Sequence, residues 1–232
     1  MKPNLLLLHG ALGSAQQLQP LAQLLAAQFT VHTLDFAGHG GRALEPAAFT
    51  MPHFAQEISR FIAEKGLTAV HVFGYSMGGY AALVAATKQP QIFRSITTLG
   101  TKFDWSPEGA AAETQLLNPE KIEVKVPQFA EHLQRLHAPT PWAEVVTATA
   151  AMMRALGETP ALHELNMSQL TVPVQVLVGE LDKTAGVEDS RQFATYLTNG
   201  TLEVLPATPH PLDRADTAAL AQRIEQFATA HA

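Results

Sequence analysis

Short apolar runs recur along the chain, separated by stretches in which apolar residues return every three or four positions. Runs at residues 4–8, 30–34, 69–73, 94–99, 173–178 and 201–205 predict strands, and helical periodicity at 15–27, 51–64, 77–88, 187–197 and 217–230 predicts the helices between them. Strands that alternate with helices imply a mostly parallel sheet of about six strands, covered by helices on both faces. The four consecutive leucines Leu5–Leu8 suit a central strand of such a sheet, because a parallel strand buried on both faces has no polar side to alternate with.

One interval breaks this rhythm. Residues 101–169 contain no convincing strand; Pro107, Pro119, Pro127, Pro139, Pro141 and Pro160 divide them into short helical stretches, of which 144–156 is the clearest. An insertion of this length is too long for a loop. The expected organisation is therefore an α/β core of residues 1–100 and 170–232, with a helical subdomain of residues 101–169 over the carboxyl ends of the strands.

Composition narrows the choice of partners. Of the 232 residues 47% are apolar and 16% charged, with a formal net charge of −6, a balance that suits a globular domain and disfavours nucleic acid or an anionic membrane as partner. The chain has no cysteine, which removes thiolate nucleophiles and thiolate metal sites and fits a reducing compartment. The amino-terminal leucine run is interrupted by His9-Gly10 before it reaches the length of a signal-peptide core, and no later stretch is long enough to span a bilayer, so a cytoplasmic location is expected.

The segment Val70-His71-Val72-Phe73-Gly74-Tyr75-Ser76-Met77-Gly78-Gly79-Tyr80 carries the candidate chemistry. A strand delivers the chain into a helix through a turn that presents Ser76, and Gly74 and Gly78 leave room for the close backbone approach such a turn forces. This Gly-x-Ser-x-Gly segment resembles the nucleophile elbow of the α/β-hydrolase family. The resemblance implies a serine nucleophile followed along the chain by an acid and a histidine, each at a strand end. Asp182 follows the strand at 173–178 and His210 the strand at 201–205, so these two are the expected acid and base; Glu180 and Asp213 are the alternative acids. The family usually has glycine before this histidine, whereas Pro209 stands here.

Leu8-His9-Gly10-Ala11-Leu12-Gly13 resembles the family's His-Gly segment, which implies an oxyanion hole built from the backbone N–H groups of Ala11 and Met77. Asp35-Phe36-Ala37-Gly38-His39-Gly40-Gly41 resembles a further turn of the family; His9 and His39 are expected to hold loops and not to enter the chemistry. The resemblance places the helical insertion as a cap. Large or adaptable side chains beside the serine or in that cap, Leu12, Phe103, Trp105, Trp142, Met152 and Met153, are the expected substrate-binding set.

The ten histidines form no metal-binding motif, and no dinucleotide or phosphate-loop fingerprint is present, so neither a metal nor a cofactor is expected. What the resemblance implies is a serine hydrolase of small to medium carboxylic esters acting through an acyl-enzyme, with a small-molecule acyl substrate as partner. Two alternatives stand beside it: a C–C hydrolase or lyase of an acidic substrate clamped by cap cations such as Lys121, Lys125, Arg135 or Arg154, and a ligand receptor with slow or no turnover on the same fold.

Overall fold

The computed structural model describes residues 2–232. Six parallel strands, β1 (Asn4–Leu8), β2 (Thr30–Leu34), β3 (Val70–Tyr75), β4 (Phe93–Leu99), β5 (Val174–Gly179) and β6 (Gly200–Leu205), form one sheet in the order β2-β1-β3-β4-β5-β6. All four leucines of β1 are fully buried, yet they face opposite ways: Leu6 and Leu8 join one core cluster, Leu5 and Leu7 the other. Each fully buried leucine contributes roughly 1.5–3 kcal/mol, and β1 is accordingly an interior strand, paired with β2 on one side and β3 on the other.

Helices α2 (Met51–Glu64), α3 (Met77–Lys88) and α9 (Val187–Tyr196) cover the Leu6 face. Helices α1 (Gln19–Leu25) and α10 (Thr217–Ala230) cover the Leu5 face. The first helix departs from the expected 15–27: Ser14 accepts a hydrogen bond from Gln16 N, and residues Ala15–Leu18 wind as a 3₁₀ turn before α1 begins with Pro20 in its first turn. Strand β3 runs two residues past the expected end, to Tyr75, so the chain stays extended up to Ser76.

Between β4 and β5 lie five helices: α4 (Pro107–Thr114), α5 (Pro119–Lys125), α6 (Pro127–His137), α7 (Trp142–Glu158) and α8 (Glu164–Ser168). Three of the prolines open α4, α5 and α6, where the missing N–H would lack an intrahelical partner in any case. Val145, Met152 and Leu156 of α7 join the core cluster of the Leu6 face, while Ile122, Ala130, Leu133 and Val146 form a small core of their own.

The register aligns the strand ends. Leu8 pairs with Leu34 and Gly74, Leu99 with Tyr75 and Leu177, and Gly179 with Leu205. Every loop that leaves a carboxyl end therefore emerges at one edge of the sheet, the edge at which open α/β sheets bind ligands.

Candidate active site

Ser76 stands at the junction of β3 and α3 with φ 51° and ψ −114°, a conformation that costs a non-glycine residue about 1–3 kcal/mol. Four hydrogen bonds hold it there. Ser76 N–H donates to Leu99 O at 2.8 Å, Thr101 Oγ1 donates to Ser76 O at 3.0 Å, and the N–H groups of Gly79 and Tyr80 bind that same carbonyl. A Cβ on Gly78 would lie 2.6 Å from Leu8 O, so β1 and the start of α3 can approach only without a side chain at this position.

Asp182 is buried at the end of β5, and its two oxygens are divided between two tasks. Oδ1 accepts the N–H groups of Thr184 and Ala185, each at 2.9 Å, and Oδ2 accepts His210 Nδ1–H at 2.8 Å. That pairing assigns the proton to Nδ1 and leaves Nε2 with a free lone pair. Tyr75 Oη donates to His210 O at 3.1 Å and its ring lies 5.5 Å from the imidazole; this tether fixes the loop in which Pro209 replaces the family's glycine. Of the two alternative acids, Glu180 accepts Ala207 N–H through Oε2, and Asp213 sits in the 3₁₀ turn Leu212–Arg214. No hydrogen bond joins Ser76 Oγ to His210 among the described residues; such bonds commonly tighten only when substrate is bound.

Gly100 was not singled out in the sequence, yet it determines how closely these groups pack. Its φ is +60°, and a Cβ there would lie 2.9 Å from Asp182 Oδ2 and 3.2 Å from His210 Nδ1. A glycine directly after a strand at the carboxyl edge was the available signal.

The loop after β1 makes a turn closed by Gly13 N–H to Gly10 O at 3.1 Å, with Leu12 at φ 57°. Buried His9 braces it, with Nδ1–H donating to Gly10 O at 2.8 Å and Nε2 accepting Phe36 N–H at 3.1 Å. From α6, His137 Nε2–H donates to Leu12 O and its Nδ1 accepts Gly40 N–H, both at 3.2 Å. Burial keeps these imidazoles neutral: His9 is lowered to about 4, and His39 and His137 are also shifted down for the same reason. Neither Ala11 N–H nor Met77 N–H donates to another group among the described residues, and both residues face the cleft beside Ser76.

That cleft, with about 40 Å³ of free volume, brings together Ala11, Ser76, Met77, Trp105, Met152 and Met153 of the expected set. The other three lie elsewhere. Phe103 is buried, stacked on Phe193 with centroids 3.6 Å apart, and borders a separate depression with Leu162 and Tyr196. Leu12 opens onto a wider neighbouring groove of about 540 Å³ that also includes Tyr75, Phe129 and Leu212. Trp142 begins α7 and packs on the small core of α5 and α6, away from Ser76, because it shares with Val146, four residues on, the helix face turned to that core, whereas Val145 and Met152 lie on the face turned to the sheet. Lys121, Lys125, Arg135 and Arg154 are exposed, and none lines the cleft. The cation in the cleft wall is Lys102, accompanied by Glu113 and Thr184; its place two residues beyond Gly100 at the carboxyl edge was the signal for it.

Among the described residues, no group of three or more histidine, aspartate or glutamate side chains converges as a metal site, and no helix is long and apolar enough to cross a membrane.

A parallel sheet, a strained serine between strand and helix, and an Asp–His pair at the same edge define a hydrolase-type α/β architecture. The alpha/beta hydrolase fold family matches residues 3–120, and the chain belongs to that family. It is similar to the pimeloyl-[acyl-carrier protein] methyl ester esterase of Aeromonas salmonicida, 32% identical over 100 residues that cover 43% of this chain and 38% of that relative. With the enzyme of the same name from Aliivibrio salmonicida, identity is 23% over 228 residues, covering 89% of this chain and 85% of the relative. In several relatives the match thus spans well under half of their length. A thermophilic esterase from Thermogutta terrifontis shares the fold, with a TM-score of 0.81 at 21% identity over 100% of this chain and 92% of its own.

Proposed function

We propose that the protein is a serine hydrolase that cleaves small to medium carboxylic esters through an acyl-enzyme. Ser76 Oγ attacks the ester carbonyl while His210 Nε2 takes its proton, and Asp182, already bonded to Nδ1–H, stabilises the imidazolium that forms. The N–H groups of Ala11 and Met77 receive the developing oxyanion, the latter at the positive end of α3. His210 then returns the proton to the departing alcohol, and a water activated by the same nitrogen releases the acid.

The observation that carries this reading is the 2.8 Å bond between Asp182 and His210 at the strand edge where Ser76 occupies its elbow. Relatives named as ester esterases support the ester bond. The small free volume beside Ser76, walled by methionines, supports a short acyl group, and the insertion acts as its cap through Glu113 of α4 and Met152, Met153 and Leu156 of α7. No cofactor enters these steps.

Hydrolysis of 4-nitrophenyl acetate, butyrate and hexanoate, with fluorophosphonate labelling of the serine, tests the proposal. Ser76→Ala and His210→Ala are each expected to lose roughly 10³-fold or more in turnover, without multiplying in the double variant. Asp182→Asn lowers turnover strongly and Asp213→Asn little. Turnover within tenfold of wild type in Ser76→Ala overturns the mechanism, and labelling of Ser76 without ester turnover favours a receptor.

A further inference from the structure

The cleft beside Ser76 is apolar and soft except at one place. Met77, Met152, Met153 and Leu156 can adapt to many acyl groups, so they select size more than chemistry. Lys102 is different. Its side chain is only 15% exposed, and each of its partners is distant: Glu113 Oε1 at 3.7 Å, Thr184 O at 3.4 Å, and the Trp105 ring centroid at 5.7 Å. A satisfied ammonium holds its oxygen acceptors at about 2.7–2.9 Å. Here a cation held largely out of water has three N–H donors and no acceptor at that distance.

Lys102 also bridges the halves of the site. It follows Thr101, which binds the Ser76 carbonyl, and it reaches Thr184, whose N–H binds Asp182. A ligand anion that drew on Lys102 would therefore be anchored to the same framework that carries the proposed nucleophile and acid. A single ammonium with the Glu113 carboxylate beside it suits a singly charged carboxylate better than a doubly charged phosphate, whose repulsion from Glu113 would be larger.

From these contacts we infer that Lys102 is a specificity-determining residue for a second carboxylate on the acyl group, so that the preferred esters are monoesters of short dicarboxylic acids; this rests on the ester-hydrolase reading above. The carboxylate takes the close position on Nζ that Glu113 does not fill. Glu113, held at 3.7 Å and 27% exposed, acts as the competing anion that the substrate displaces from Lys102.

The test compares kcat/KM for the mono-4-nitrophenyl ester of adipic acid with that for 4-nitrophenyl hexanoate, which has the same chain length and no charge. Within each variant the ratio cancels changes common to both substrates. Wild type is expected to favour the charged ester about tenfold or more, the discrimination of one charge-assisted hydrogen bond. Lys102→Met brings the ratio down by at least that factor, Lys102→Arg retains most of it, and Glu113→Gln raises it. A wild-type ratio of one or below, or a ratio unmoved by Lys102→Met, overturns the inference. Hexanoate cleavage that still requires Ser76 in that case leaves the ester-hydrolase reading standing, whereas loss of that requirement overturns the reading itself.

Discussion

Replacing Gly100 with alanine adds one methyl group at the point where the acid and the histidine meet. The φ of +60° at this residue costs an alanine about 1–2 kcal/mol, equivalent to a fall in melting temperature of about 2–8 °C for a chain of this size. The added Cβ would sit 2.9 Å from Asp182 Oδ2 and 3.3 Å from His210 Cε1, so one of the two must retreat. Asp182 is held through Oδ1 by two N–H groups, which makes the imidazole the part that moves. If His210 carries the proton as proposed, displacement by a fraction of an ångström is expected to lower turnover by about 10- to 100-fold. Gly66 provides the control: its φ is +62° and a Cβ there meets nothing within 4 Å. Gly66→Ala should show a comparable thermal loss with turnover intact, while Gly100→Ala loses both, measured as kcat on 4-nitrophenyl butyrate and as the rate of fluorophosphonate labelling. Gly100→Ala with wild-type kcat and labelling rate would refute the argument that the gap at Gly100 sets the Asp182–His210 geometry.

Acid should destabilise the fold before carboxylates as a class begin to titrate. Burial lowers His9 and His71 to about 4 from 6.5, so between those values the unfolded chain binds more protons, and stability present above pH 6.5 is lost as the pH falls toward 4. From pH 7.5 to 5 each contributes a loss of about 2 kcal/mol, with His39 and His137 adding in the same direction; a denaturation midpoint that stays flat over this range would contradict it. The acyl-length profile should respond to Met153→Ala, which enlarges the cleft and moves the optimum to longer chains, and not to Trp142→Ala, whose ring packs on α5 and α6. A profile that shifts with Trp142→Ala and not with Met153→Ala would reverse the assignment.

The sheet was legible in the sequence because its interior strands are apolar runs: Leu5–Leu8 has no polar residue and Val174–Val178 only Gln175, and the observed strands begin and end within two residues of the expected limits. The elbow was equally local, since Gly74, Ser76 and Gly78 lie within five residues and their steric demand is made by the backbone of a single turn. The regular order of strand and helix was enough to bring Asp182 and His210 to the edge that carries Ser76, and the structure joins those two by a hydrogen bond. Tertiary structure decided everything that depends on direction within the helical insertion. Periodicity shows that α7 has an apolar face but does not orient it, so Met152 and Met153 reach the cleft while Trp142, on the same helix, does not. The places of Gly100 and Lys102 just past a strand, and of Tyr75 in the elbow, are readable locally, but what each of them touches is not, because it is defined by a neighbour 82 to 135 positions further along the chain: Asp182, Thr184 and His210. A contact across that separation exists only once the strands are in register, and the register is a property of the whole sheet and not of any segment of it.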